Sequence, residues 1–172
     1  MCSIFGVLEL RQEPQFVRKM ALRQSRMLRH RGPDWSGIYS APNAVLAHER
    51  LSIVDVNTGA QPLLSESGRQ ALAVNGEIYN HQEIRAGFEG SYAFRTQSDC
   101  EVILPLYLEH GTAFLDQLSG MYAFCLYDED QDFWMMARDP IGIIPLYYGH
   151  DDHGQLFVAC LLYTSDAADD LL

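Results

Sequence analysis

Four short runs of strand-forming residues fill the second half of the chain, and only a few residues connect them. The runs are MYAFCLYD (121–128), DFWMMARD (132–139), IPLYYG (144–149) and QLFVA (155–159), and turn-like segments DEDQ and DDHG separate the outer pairs. Parallel strands need a crossover of a dozen or more residues, so connections this short suit antiparallel pairing only. The chain is therefore predicted to build antiparallel sheets and not βαβ units.

The first half adds further predicted strands. They cover residues 2–10, two short runs around APN within 36–48, and RLSIVD (50–55). ALAVNGEIYN (71–80) is predicted to form a hairpin, since Asn-Gly is the strongest two-residue turn signal.

Two segments have helical spacing. Residues 14–32 place apolar side chains at three- and four-residue intervals, with proline at the start and glycine past the end. SDCEVILPLYLEHG (98–111) is predicted to begin at a capping box of Ser98 and Glu101 and to end at Gly111, with a kink or early break at Pro105. A third short helix is predicted over 112–118. Helices combined with antiparallel sheets indicate an α+β fold.

Charge and cysteine content exclude several classes of function. The net charge of -11 repels phosphate backbones, so nucleic-acid binding is not expected. No apolar run is long enough to span a bilayer, and we expect no membrane association. The four cysteines, at positions 2, 100, 125 and 160, form no CxxC pair, and no histidine pair has ligand spacing. We therefore expect neither a disulfide framework nor a metal site, and a cytoplasmic location.

Cys2 stands directly behind the initiator methionine. If Met1 is removed, the residue carries both a thiol and an α-amine, whose ordinary pKa of about 7.7–8.0 suits a general base at neutral pH. A terminal cysteine can thus be a nucleophile that supplies its own base. The alternative is a small apolar residue at the start of a strand.

Three further places could recognise a free amino acid that carries a reacting amide. Arg50 offers a planar fork for a carboxylate, Asp99 a countercharge for an ammonium, and Asn75 with Gly76 two donors for an oxyanion. Each has a structural alternative: Arg50 as part of a surface ion pair, Asp99 as a first-turn helix residue, and Asn75-Gly76 as a hairpin turn. His30 and His48 are candidate bases that the terminal amine makes unnecessary. Arg138 and Asp139 are expected to form a structural pair.

Seven motifs in a fixed order carry a family resemblance. They are MCSIFGV, RHRGPDWSG, HERLSIVD, QPL, NGEIYN, SDCEVI and RDPIGIIPLYY. With them the chain resembles the N-terminal glutaminase domain of glutamine-hydrolysing asparagine synthetases of the bacterial B type. That branch belongs to the class II, or N-terminal nucleophile, glutamine amidotransferases. The resemblance implies a four-layer αββα fold in which two antiparallel sheets stack between helices.

The resemblance also implies roles for particular residues. Cys2 would form a glutamyl thioester from glutamine and release ammonia, and Asn75 and Gly76 would form the oxyanion hole. Arg50 would bind the α-carboxylate and Asp99 the α-ammonium. The remaining pocket residues would be Leu51, Ile53, Val54 and Glu77. No cofactor or metal is expected in this domain.

The resemblance ends near residue 159. The full-length family members continue into a synthetase domain that uses ATP and Mg²⁺ to make asparagine from aspartate, and they are expected to form homodimers. Nothing here resembles that domain, so residues 1–159 are expected to be the glutaminase domain alone, which cannot make asparagine. Residues 160–172 are expected to be a non-native tail. Two alternatives stay open: an N-terminal nucleophile hydrolase for another amide, and an inactive truncated fragment or docking module.

Overall fold

The computed structural model describes residues 2–52, 55 and 58–161. Nine strands and three α-helices follow one another in the described part. In chain order they are β1 (Ser3–Leu8), α1 (Pro14–Met27), β2 (Trp35–Ser40), β3 (Ala44–Arg50), β4 (Leu63–Leu64), β5 (Gln70–Ile78), α2 (His81–Gly87), α3 (Ile103–His110), β6 (Gly120–Asp128), β7 (Phe133–Arg138), β8 (Tyr147–His150) and β9 (Leu156–Ala159). Two 3₁₀ helices, Asp99–Val102 and Gly111–Gln117, flank α3.

The strands form two sheets in which every pair is antiparallel. The five-stranded sheet has the order β2-β3-β1-β9-β8, and the four-stranded sheet has the order β4-β5-β6-β7. The register of β1 on β3 sets Ser3 opposite Glu49 and Leu8 opposite Ala44. The first strand of the chain is therefore the central strand of its sheet.

The two sheets pack face to face. Because side chains alternate between the faces of a strand, Ile4 and Leu8 of β1 point towards the other sheet, where they share a core with Ala73 and Cys125. Phe5 and Val7 point the opposite way and pack with Val17 and Ala21 of α1.

The outer face of the four-stranded sheet packs against the other helices. Leu72, Val74 and Phe124 form one buried cluster with Ile103 and Leu106 of α3. The layers are thus helix, sheet, sheet and helix, which confirms the predicted four-layer αββα fold.

Several local predictions were wrong. Asn75-Gly76 is no turn: both residues lie inside the nine-residue strand β5, paired with Ala123 and Tyr122 of β6. Strand β3 ends at Arg50, so no strand continues over Leu51 and Ser52.

The predicted capping box is also absent. The Ser98 side chain caps nothing, and the Glu101 carboxylate accepts the backbone N–H groups of Arg95 and Thr96, both at 2.8 Å. Pro105 lies in the first turn of α3, where its missing N–H breaks no helical bond. Gly111 ends that helix as predicted, with φ of 58°.

Candidate active site

Cys2 directly precedes the central strand β1 and lines a pocket. The backbone N–H of Leu51 lies 3.4 Å from its Sγ, and the Leu51 carbonyl oxygen lies 3.6 Å away. Because Ser3 pairs with Glu49, the antiparallel register brings Cys2 beside Arg50. Burial raises the pKa of the Cys2 thiol, although the Leu51 N–H contact works against that rise. The thiol is therefore neutral until a base removes its proton.

An unused hydrogen-bond donor lies in the same pocket. Asn75 is 1 % exposed, and its Nδ2 has no hydrogen-bond partner among the residues that the structure describes. Buried polar groups nearly always have partners, so an amide donor left open in a pocket is a position where a ligand oxygen can bind.

Gly76 follows in the strand and has φ of 150°, a conformation that favours glycine. A Cβ there would collide with the Met121 carbonyl oxygen. The sequence thus needs glycine for the close approach of β5 to β6, and that approach fixes the position of the backbone next to Asn75.

Arg50 supplies a buried positive charge at the pocket. It is 6 % exposed, and its guanidinium donates to the Asp55 carbonyl oxygen. Gly59 makes room for it, since a Cβ there would lie 2.6 Å from Nη2. Such a guanidinium can present further N–H groups to a carboxylate.

Asp99 begins the 3₁₀ helix on the other side of the pocket. Its Oδ2 accepts the Ile78 backbone N–H at 2.8 Å, which anchors the carboxylate to the end of β5. It is 7 % exposed and lines the pocket. A positive group bound there would meet a fixed negative charge.

The structure brings most of the predicted site residues together. One pocket is lined by Cys2, Arg50, Leu51, Asn75, Gly76, Glu77 and Asp99. Ile53 and Val54 lie outside the described residues.

The structure adds pocket residues that sequence reasoning missed. They are Gly59, Gln61, Ser98, Cys100, Met121 and Ile144. Gln61 belongs to the QPL motif, and its Oε1 accepts the Val74 N–H at 2.7 Å. Ile144 belongs to the RDPIGIIPLYY motif. The motifs were a signal that these segments matter, but they did not place either side chain in the pocket.

The expected Arg138–Asp139 pair is not formed in the part of the chain that the structure describes. The Asp139 carboxylate accepts backbone N–H groups instead, from Ile143 at 3.0 Å, Ile144 at 3.2 Å and Tyr122 at 3.3 Å. Although burial opposes ionisation, these donors hold the pKa of Asp139 below its usual value. The carboxylate thus anchors the loop that carries Ile144.

Neither histidine reaches the pocket. His48 is fully buried between the sheets, where its Nε2–H donates to the Val74 carbonyl oxygen at 2.8 Å. Burial lowers the pKa of His48 to about 4, so the ring is neutral at pH 7. His30 is exposed, and its Nδ1 lies 3.1 Å from the Met27 carbonyl oxygen.

Residues 2–52, 55 and 58–161 contain neither a candidate metal site nor a helix suited to span a membrane. No group of three or more His, Cys, Asp or Glu side chains there could hold a metal ion. No helix in that part of the chain is long and apolar enough to cross a bilayer. All four cysteines are free.

Comparison with known proteins gives three findings. A family model described as a glutamine amidotransferase domain matches residues 1–165. Asparagine synthetase B [glutamine-hydrolyzing] of Escherichia coli K12 is 62% identical over 159 residues, which cover 92% of this chain and 29% of that protein. A probable asparagine synthetase [glutamine-hydrolyzing] of Schizosaccharomyces pombe is 52% identical over 87% of this chain and 27% of its own length.

A solved structure shares the fold. The glutamine phosphoribosylpyrophosphate amidotransferase of B. subtilis, complexed with ADP and GMP, superposes with a TM-score of 0.76 at 23% identity, over 96% of this chain and 43% of its own. The chain spans less than a third of the length of the two synthetases named above.

Proposed function

The chain belongs to the glutamine amidotransferase domain family, and from that premise we propose that it hydrolyses the side-chain amide of L-glutamine through a thioester on Cys2. The observation that carries this proposal is that four functional groups line one pocket: the Cys2 thiol, the Asn75 amide donor that has no partner among the described residues, the Arg50 cation and the Asp99 anion. An amide substrate with a free α-carboxylate and α-ammonium needs all four.

The first half of the reaction forms the thioester. With Met1 removed, the α-amine of Cys2 takes the thiol proton, and Sγ attacks the side-chain carbonyl carbon of glutamine. The carbonyl oxygen becomes an oxyanion, which the Asn75 Nδ2–H and the Gly76 N–H stabilise. As the tetrahedral adduct collapses, the C–N bond breaks and the protonated amine gives its proton to the leaving nitrogen, which departs as ammonia.

The second half regenerates the enzyme. The amine takes a proton from water, the resulting hydroxide attacks the thioester carbon, and the same two donors hold the second oxyanion. The C–S bond then breaks, glutamate leaves, and the thiolate recovers its proton. No step needs a metal ion or cofactor.

The pocket selects a free amino acid by charge. Arg50 binds the α-carboxylate and Asp99 the α-ammonium, while Leu51 and Glu77 complete the wall near them. Arg50 and Asp99 belong to different elements. A ligand that lacks the α-carboxylate loses the contact with Arg50, and one that lacks the α-ammonium loses the contact with Asp99.

A wider role follows from the relatives. We infer that the ammonia supplies ATP-dependent synthesis of asparagine from aspartate, in a synthetase domain that binds ATP and Mg²⁺, in a cytoplasmic and homodimeric protein. Ile141, Ile143 and Tyr148 expose large apolar surfaces on the segment that also carries Ile144 into the pocket, and such a patch suits contact with a partner domain.

The test measures glutamate and ammonia release by chain whose Met1 removal is verified by mass. We expect one glutamate for each ammonia, and no release by Cys2→Ala. The matched control is Cys125→Ala, which removes a thiol buried between the sheets and outside the pocket and should keep the activity. Full activity in Cys2→Ala, or an amide preferred over glutamine, would refute the proposal.

A further inference from the structure

Arg50 and Asp99, which the proposed function assigns to opposite charges of glutamine, lie on separate parts of the fold. Arg50 ends β3 of the five-stranded sheet, whereas Asp99 begins a 3₁₀ helix and is tied to β5 of the four-stranded sheet through Ile78. Their spacing must match that of an α-carboxylate and an α-ammonium on one carbon atom. Some contact must therefore hold the two segments at a fixed separation.

Asp55 contacts both segments. Its backbone carbonyl oxygen accepts the Arg50 guanidinium, and its Oδ2 accepts the backbone N–H of Gln97 at 2.7 Å. Gln97 directly precedes Ser98, which lines the pocket together with Asp99. One residue thus connects the cation of the pocket to the segment that carries the anion.

The Asp55 carboxylate is itself fixed in place. Thr58 donates its backbone N–H to Oδ1 at 2.9 Å and its hydroxyl to Oδ2 at 2.6 Å. The residue has φ of 54°, a conformation that aspartate tolerates better than most residues. Burial opposes ionisation, but the hydrogen bonds from Thr58 and Gln97 hold the pKa of Asp55 below its usual value. The carboxylate is therefore ionised and oriented at neutral pH.

We propose that Asp55 is a positioning residue that couples the carboxylate-binding Arg50 to the ammonium-binding segment at Asp99, so that the two charges of an α-amino acid are recognised as one unit. Asp55 acts through these two segments and does not itself touch the substrate. The inference rests on the proposed function, since it assumes that the pocket receives glutamine.

The test measures selectivity for the two charged groups. Dissociation constants are determined by calorimetry in a Cys2→Ala background, where turnover cannot interfere. The ligands are L-glutamine, 4-carbamoylbutanoate, which lacks the ammonium, and 4-aminobutanamide, which lacks the carboxylate. The principal variant is Asp55→Gly, because glycine accepts the positive φ while removing the carboxylate.

We expect Asp55→Gly to weaken glutamine binding about tenfold, the loss typical of one charge-assisted hydrogen bond. Each truncated amide should weaken about threefold or less, because it engages only one of the two charged groups. Asp132→Gly is the matched control: Asp132 also has a positive φ and a hydrogen-bonded carboxylate, but it does not line the pocket, so the glutamine affinity of this variant should stay within about twofold of the parent.

Three results would overturn the coupling: an unchanged glutamine affinity in Asp55→Gly, an equal loss for all three ligands, or an equal loss in Asp132→Gly. An equal loss for all ligands is what general disruption of the pocket would produce, and thermal unfolding of each variant checks for it. A parent chain that binds no glutamine refutes this inference and the proposed function together. If the Cys2→Ala parent binds glutamine but the processed chain with Cys2 intact releases no glutamate, the proposed function alone is refuted.

Discussion

Replacing Asn75 with alanine should lower kcat strongly while leaving the free energy of unfolding nearly unchanged. The Nδ2 group of Asn75 donates to nothing among the described residues, so the folded protein loses no hydrogen bond when that group is removed. A buried donor without a partner costs about 1–3 kcal/mol, and its removal offsets the loss of side-chain packing. The free energy of unfolding should therefore change by less than about 1 kcal/mol.

The effect on catalysis should be large. Loss of one oxyanion donor typically lowers kcat by about 10²–10³-fold, which corresponds to roughly 2.7–4 kcal/mol of transition-state stabilisation. The donor acts on an oxyanion that exists only along the reaction path, so kcat and kcat/KM should fall together while KM stays nearly constant.

The assay follows glutamate release at several glutamine concentrations, alongside urea unfolding of the same samples. Asn43→Ala serves as the matched control, since that amide is exposed and bonds Asp132 far along the chain. Asn75→Ala with undiminished kcat would refute the oxyanion assignment. A fall in activity matched by an equal fall in folded fraction would show that Asn75 acts on folding instead.

Three other outcomes can be checked on the same protein. Chain that retains Met1, identified by mass, should release glutamate about 10²–10⁴-fold more slowly than processed chain, because the thiol lacks its base; equal rates would exclude the terminal amine. Asp139→Asn should lower the free energy of unfolding at pH 7 by about 1–3 kcal/mol. Because the pKa of Asp139 in the folded protein lies below its usual value, the difference in stability between parent and variant should shrink as the pH falls below the usual carboxyl value near 3.9. Burial lowers the pKa of His48 from 6.5 in the unfolded chain to about 4 in the folded protein. Between these two pH values the unfolded chain binds more protons, so the free energy of unfolding should fall as the pH drops, by up to about 1.4 kcal/mol per pH unit. His48→Gln should flatten that slope in urea titrations, and an unchanged slope would exclude His48 as its source.

The sequence was sufficient to predict the sheets because their signal is local. Alternating apolar residues and short connections identified β6, β7 and β9 to within a residue or two. The same local signals failed at Asn75-Gly76, where a dipeptide favouring a turn is overruled by nine paired residues along β6. The glycine is needed for a close approach between strands, and no pattern in a single strand reveals its neighbour.

Only the site residues with distinctive chemistry could be predicted from the sequence. Cys2, Arg50, Asn75 and Asp99 are recognisable because each supplies a specific charge, donor or nucleophile. Gln61 and Ile144 act by shaping the wall, and residues far away in the chain put them there. Asp139 illustrates the difficulty: its neighbour Arg138 suggested an ion pair, whereas the partners of its carboxylate are backbone groups that have no sequence signature.

The position of β1 in the middle of its sheet decides where another polypeptide can be joined to this domain. A chain fused ahead of Cys2 would occupy the α-amine that the proposed reaction uses as its base. A fusion after β9 leaves that amine free and still begins close to it: β9 runs antiparallel to β1 with Ala159 opposite Phe5, and the Cys160 N–H lies 3.4 Å from the Ile4 carbonyl oxygen. A polypeptide that continues from β9 thus starts beside Ile4, about two residues along β1 from Cys2. In gene fusions and in tagged proteins alike, additions belong after the last strand, where they begin beside β1, the strand that follows Cys2.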